Sequence, residues 1–576
     1  MRQPRGFARR PHRLLAAAVA GAVVAGLAAG CSSESQVPSI GFAVDAAVAS
    51  YNGGSTLGAS TGATAVFGRV LTGFFYTGPD GQQIADTDVG TAKEVPGESQ
   101  TIQYRLNPDG VYSDGVPTSC DDLILAWAAR SGRFTRPGDG GPLPLFDAAS
   151  TAGYEDIERV ECLPGSKDAT VVFRPDRRYL DWRNLFTAGE LMPAHIAARA
   201  ANVPNVVSAM QSGDPSAIQR LADFWNSGWT LAPGEFDASR FPSSGPYRIE
   251  SFTADEGLVL VANERWWGNK PETGRVVVWP KSTDLAAKVG EGAVSVVDIG
   301  AGSVKDLDLG GFSVQQVPGR GAEQLVLSTG GVLASVDARR ALALCVPRRA
   351  LFDEIGKVPE APESGLGSGP LNSHIVQQDS LYYPAVSGAA EPFLAADIEG
   401  SKAALAAAGA PELTIRVGYQ TPDDRRARTI ATIAESCKPA GITVVDAGAP
   451  DFRASQLAAG GVDAVLAGTA GVPGPAGSLD GVAATSALRT GSGLNFGRFG
   501  NGRYDAITDQ LAADDNSTAR LNLLTEAENL LWAQMPSIPL FATPRTIAFG
   551  GGLQNGIAAP TQAGTGWNMD RWVLKR

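Results

Sequence analysis

Apolar positions along this chain recur with two periods in turn. Thr101-Ile-Gln-Tyr-Arg-Leu106 alternates apolar and polar side chains as a half-buried strand does, and Asn107-Pro-Asp-Gly110 follows with turn residue types. Pro117-Thr-Ser-Cys-Asp-Asp122 predicts a helix start: Thr118 or Ser119 caps it, and the two acids favour its positive end. The body, Leu123 to Arg130, supplies an apolar face. Ile40 to Val44 and Ala169 to Phe173 read as strands, and Leu180 to Leu185 as a turn of helix. Tyr247–Phe252 and Gly257–Ala262, split by Thr253-Ala-Asp-Glu, read as a hairpin. Further on, helices are predicted over Ser335–Leu344, Ser401–Ala408, Asp424–Ala440 and Ser517–Met535. Strands at Leu413–Tyr419, Ile442–Val445 and Val462–Leu466 lie between them, while Lys357–Gly369 and Gly468–Gly477 read as loops. Alternating strand and helix predicts α/β lobes.

One apolar run does not belong to a folded lobe. Met1 to Arg13 carries five arginines and no acid, Leu14 to Leu27 is almost wholly Ala, Val, Leu and Gly, and Ala28-Ala29-Gly30-Cys31 closes it. A basic start, a short apolar run and small residues before a cleavage point make a secretory signal, too short for a permanent span. The cysteine is similar to the lipidated residue of a bacterial lipobox, although Ala28 stands where leucine is preferred. The expectation is cleavage before Cys31, acylation of Cys31, and a lipid-anchored protein on the extracytoplasmic face of a membrane.

Composition fits a large globular body on that tether. Of 48 basic residues five lie in the leader, so 43 face 60 acids, a net charge of −17. That excess argues against nucleic acid or an anionic lipid surface as partners. Roughly 545 residues remain after the leader, too many for one core, so two or three lobes are expected. Four cysteines remain in an oxidising compartment. Pairing Cys120 with Cys162 and Cys345 with Cys437 keeps each bridge within one lobe; four free buried thiols are the alternative.

Positive signs of an enzyme are missing. The mature chain has only His195 and His374, both isolated, and no HExxH, GxSxG, P-loop or GxGxxG pattern. No CxxC or CxxH spacing points to a metal, and no cofactor is implied. Asp121-Asp122 and Asp514-Asp515 are neighbours in sequence, which do not face one another on a helix.

Six stretches in order carry a resemblance. Tyr112-Ser-Asp-Gly-Val-Pro-Thr-Ser-Cys-Asp-Asp-Leu123, Ser243-Ser-Gly-Pro-Tyr247, Asn263-Glu-Arg-Trp-Trp-Gly268, Val336-Asp-Ala-Arg-Arg-Ala-Leu342, Asn501 to Ile507 and Pro536-Ser-Ile-Pro-Leu540 resemble motifs of the family 5 extracytoplasmic solute-binding proteins. Those are the peptide-binding subunits of ABC importers. The closing Gly566-Trp-Asn-Met-Asp-Arg-Trp572 and the four cysteines are most similar to actinobacterial dipeptide-binding lipoproteins.

The resemblance implies an α/β, two-lobed periplasmic-binding-protein-like fold (class II, cluster C) with an extra inserted domain. The signal would end at residue 30, and 31–64 would hold the anchor and the start of lobe I. The inserted domain would cover 65–238, lobe I would continue over 239–318 and return over 536–576, and lobe II would be 319–535. It further implies a monomer that captures a short peptide and delivers it to a permease and ATPase complex. The alternatives are haem or another amphipathic cargo, or a non-transport lipoprotein of glycolipid assembly. The family's aspartate for the peptide ammonium is not matched: Thr469 and Val472 occupy the motif, with Asp480 as the candidate substitute. Cleft contacts are expected from Tyr51, Asn52, Thr469, Ala470, Gly471, Asn495 and Phe496. Bulky apolar replacement of Asn52 or Asn495 would then weaken binding by at least about 1 kcal/mol without lowering the melting temperature.

Overall fold

The computed structural model describes residues 38–138, 141–234, 236–467 and 482–575. Cys31, Thr469, Ala470, Gly471 and Asp480 lie outside the described residues.

One sheet of ten strands runs through both lobes. In spatial order it comprises Tyr247–Thr253, Gly257–Ala262, Arg275–Trp279, Ser39–Val44, Val296–Gly300, Ser537–Gly550, Phe312–Leu327, Ala464–Ala467, Leu413–Gly418 and Ile442–Asp446. The Ser39–Val44 strand lies parallel to both Arg275–Trp279 and Val296–Gly300. Its sequence, SIGFAV, is an unbroken small and apolar run because both of its faces are covered. The 312–327 and 537–550 strands are long because the two lobes share them. Phe312–Pro318 pairs with Pro544–Gly550, and Ala322–Val326 pairs with Ser537–Ala542. The register shifts between Pro318 and Ala322, so the ribbon bends where it passes from one lobe to the other.

A second, antiparallel sheet is formed by Gly90–Val95, Thr101–Leu106, Asp168–Phe173 and Ile157–Glu161. The Cys120–Arg130 helix starts at Ser119, whose hydroxyl accepts from Asp121 N while the Asp122 carboxylate accepts from Ser119 N. Ten of its eleven residues are buried rather than a single face, because the Ala194–Ala200 and Val206–Ser212 helices and the Asp168–Phe173 strand pack around it. Two disulfides are present: Cys120–Cys162, and Cys345–Cys437, which joins the ends of the Val336–Cys345 and Asp424–Cys437 helices.

Three of the family-like motifs bind one another. Ser243 N donates to Ser113 Oγ at 2.9 Å, and Ser113 N donates to Ser243 O at 2.8 Å. Asn263 Nδ2 donates to Gly245 O at 2.8 Å. A fourth motif is a helix start: Asn501 Oδ1 accepts from Arg503 N and Tyr504 N, and Tyr504 is fully buried. These residues staple segments distant in sequence.

Candidate functional site in the interlobe cleft

The carboxyl ends of the parallel strands in both lobes meet at one cavity of about 150 Å³, the place where open α/β sheets hold ligands. Lobe I contributes Asp45, which follows the 39–44 strand, Lys281, which follows the 275–279 strand, and Asp298 from the 296–300 strand. Lobe II contributes Gln420, Arg426 and the Phe452–Ala454 turn. The returning strand adds Arg545.

Its floor is a network of buried charge. Lys281 Nζ bonds the Asp45 carboxylate of its own lobe and lies 3.0 Å from Asp423 Oδ2 of the other. Asp423 reaches that position by capping the Asp424–Cys437 helix, where its side chain accepts from Arg426 N. Arg426 Nε lies 2.9 Å from Glu323 Oε1, and Arg425 Nη1 lies 3.1 Å from Glu323 Oε2. Arg545 Nε donates to Asp298 Oδ1 at 3.1 Å, and Asp298 Oδ2 accepts from Thr565 N at 2.8 Å. Burial alone pushes the Asp45 carboxyl up, but Lys281, Arg426 and Arg545 outweigh it and hold Asp45 well below the usual carboxylate range. Asp423 is also held low, burial being outweighed by Arg426, Lys281 and Arg425. A backbone bond, Asp424 N to Ser303 O at 3.1 Å, adds to this bridge between the lobes.

A second cavity, about 140 Å³, adjoins the first, and the two share Ala59, Thr64 and Gln562 on their walls. Gly53, Gly54, Arg130, Tyr179 and Trp567 help to line it. Arg130 Nη1 is spent on Glu190 Oε1 at 2.7 Å, and Trp567 stacks on Tyr76 with ring centroids 6.2 Å apart.

Tyr51 and Asn52, from which cleft contacts are expected, are buried and lie outside the linings of both cavities. Tyr51 is fully buried, edge-on to Phe67 and Phe241, and its hydroxyl donates to Pro242 O at 3.1 Å. Asn52 donates to Trp225 O and accepts from Gly54 N, both at 3.1 Å, so its amide shapes the loop that brings Gly53 and Gly54 to the cavity. Asn495 and Phe496 line a smaller void of about 20 Å³, which shares Ala454, Val465 and Ala467 with the first cavity and Leu494 with the second. Asn495 donates to Phe499 O at 2.7 Å and to Arg489 O at 3.1 Å, and accepts from Phe499 N at 3.0 Å. With the amide fully engaged, Asn495→Leu is expected to lower unfolding free energy by about 2–3 kcal/mol in urea titration. An unchanged urea midpoint with weaker ligand binding would restore it to the cargo site.

The charged floor was missed in the sequence, where Asp45, Lys281 and Asp298 are far apart. The Pro422-Asp-Asp-Arg-Arg426 run is its nearest signal, of which only the helix over Asp424–Ala440 was predicted. Among the described residues, the one three-member group of metal-ligating types is Cys120, Asp121 and Cys162, whose two sulfurs form a disulfide. No helix of the described residues is long and apolar enough to cross a membrane.

Comparison with known proteins places this geometry. The model for bacterial extracellular solute-binding proteins, family 5 (middle), matches residues 88–486. A lipoprotein of Mycobacterium tuberculosis is 41% identical over 575 residues, 99% of each chain. The oligopeptide-binding protein OppA of the same species is 25% identical over 507 residues, 84% of this chain and 76% of OppA. Among solved structures, the periplasmic EDTA-binding protein EppA superposes with a TM-score of 0.71 at 22% identity, over 94% of this chain and 97% of EppA. Bacillus subtilis AppA, solved with a nonapeptide, gives 0.68 at 14% identity over 94% and 100%.

Proposed function

We propose, from the premise that this chain belongs to the family 5 bacterial extracellular solute-binding proteins, that it captures short peptides between its lobes for a membrane permease. The observation that carries this reading is the pair of adjoining cavities at the carboxyl ends of the parallel strands, enclosed by both lobes and the inserted region. Such a space excludes bulk water from the cargo main chain and leaves room for variable side chains. The similarity to OppA favours peptide as the cargo class. Delivery requires the lobes to part, a hinge motion that the bent ribbon of 312–327 and 537–550 supplies.

The test is titration of the mature protein with a panel of di- to pentapeptides, read by tryptophan fluorescence and calorimetry. Trp567 on the second cavity wall is the reporter. Saturable binding by at least one peptide is expected. Binding of haem or an acylated mannoside, with no peptide bound, would replace this reading.

Lipid anchoring at Cys31 is part of the proposal, supported by the lipoprotein relatives. Cys31→Ala is expected to move the protein from the membrane fraction to the soluble one. A variant that still sediments wholly with membranes would refute the anchor.

A further inference from the structure

The bend of the shared ribbon is gripped from both sides at one residue. Where the register shifts between Pro318 and Ala322, Gly319, Arg320 and Gly321 face the single residue Thr543 of the other strand. Arg320 N donates to Pro560 O at 2.8 Å, and the segment that carries Pro560 is held to the 296–300 strand by Thr565 N on Asp298 Oδ2. The stretch 365–379 takes the opposite side. Gln377 Nε2 donates to Arg320 O at 2.6 Å, and Arg320 Nη2 lies 3.0 Å from Asp379 Oδ2. Gly367, at φ 77°, approaches Pro318 so closely that a Cβ would lie 2.4 Å from the proline Cβ.

That stretch is itself fixed to the other half of the sheet. Leu371 N donates to Leu540 O at 3.0 Å, and the His374 ring bridges Glu528 Oε2, at 3.0 Å, and Ser537 O, at 3.1 Å. Glu528 Oε1 accepts from His374 N and Ile375 N as well, and the His374 and Glu528 side chains are fully buried. One end is therefore set in the core. The other hangs on Arg320 through one hydrogen bond and an ion pair whose side chains are 17% and 30% exposed.

Resting on the hinge reading of the ribbon above, we infer that 365–379 is a brace that holds the hinge in this bend, with Gln377 and Asp379 as its release point. Arg320 sits across the division: its amide follows Pro560, while its carbonyl and guanidinium stay with Gln377 and Asp379. Parting of the lobes must break one set of contacts, and the partly exposed set yields before the buried one.

The test needs no cargo. Spin labels at the exposed positions Ala286 and Lys438, one on each half of the sheet and carried on introduced non-cysteine residues, report the distance between the lobes. In the ligand-free protein Asp379→Ala is expected to raise the ratio of widely to closely spaced molecules about two- to fivefold, and Gln377→Ala added to it about tenfold or more. The amides of His374 and Ile375 are expected to keep their wild-type protection against hydrogen exchange, because release occurs beyond them. A wild-type distance distribution in the double variant would overturn the inference. Lost protection at His374 and Ile375 would also overturn it, since the whole stretch would then have come away. Failure of every panel peptide to bind would sink the peptide reading and leave this measurement standing. One unchanging distance in all three proteins, with and without a bound panel peptide, would overturn the hinge and the brace together.

Discussion

Lys281→Met is expected to lower the unfolding free energy by about 3–5 kcal/mol, the loss that follows when one member of a buried ion network is removed. Lys281 is 7% exposed in its side chain, Asp45 11% and Asp423 0%, so water gives little relief to the two carboxylates left behind. Adding Asp45→Asn and Asp423→Asn should recover part of the loss, because the uncompensated charge then disappears. A single variant within about 1 kcal/mol of wild type would show that the network carries no net stability. The network also sets a pH dependence. Both carboxyls titrate below their ordinary value of 3.8, so their contribution is present above that pH and is lost as pH falls through the folded-state values. Wild-type stability should therefore drop on acidification below about pH 4, and Lys281→Met should show a shallower drop.

Opening the Cys345–Cys437 bridge as the double serine variant should cost about 4–5 kcal/mol. The bridge closes a loop of 92 residues, and the chain-entropy relation gives that value. Cys120–Cys162 closes 42 residues, for which the same relation gives about 4 kcal/mol. Cys345 and Cys437 are both fully buried at the ends of the Val336–Cys345 and Asp424–Cys437 helices, so the two hydroxyls add a desolvation cost. Urea titration of the variant measures the loss. A decrease below about 2 kcal/mol would mean that the unfolded chain is already compact around these helices.

Much of the fold was legible where local chemistry and tertiary context agree. The Ser119 cap, the alternation of Thr101–Leu106 and the hairpin at Tyr247–Ala262 are written within a few residues of themselves. The helix expected at Ser401 begins earlier, at Ile398, because Asp397 caps it by accepting from Gly400 N. The long strands Phe312–Leu327 and Ser537–Gly550 were not recognised. The first holds one proline and the second two, and the polarity of each is mixed because its environment changes along its length. The cleft was least legible. Asp45, Lys281 and Asp423 become neighbours only through parallel strand pairing and docking of the lobes, which no short-range pattern encodes. Tyr51, Asn52 and Asn495 have the residue types of a peptide site but are spent on backbone groups, which only burial reveals.

The shared ribbon also orders events in time. Before Ser537–Gly550 is available, the ten-stranded sheet exists only as two pieces: five strands ending at Val296–Gly300, and four beginning at Phe312–Leu327. Those pieces present bare edges of unpaired backbone to the medium. A chain threaded outward from its amino end delivers that last strand after nearly everything else, so the joining of the halves waits for translocation to finish. Until then the molecule is nearly complete but unzipped. A chain cut short before Ser537 would stay in that state, exposed to proteases along both edges.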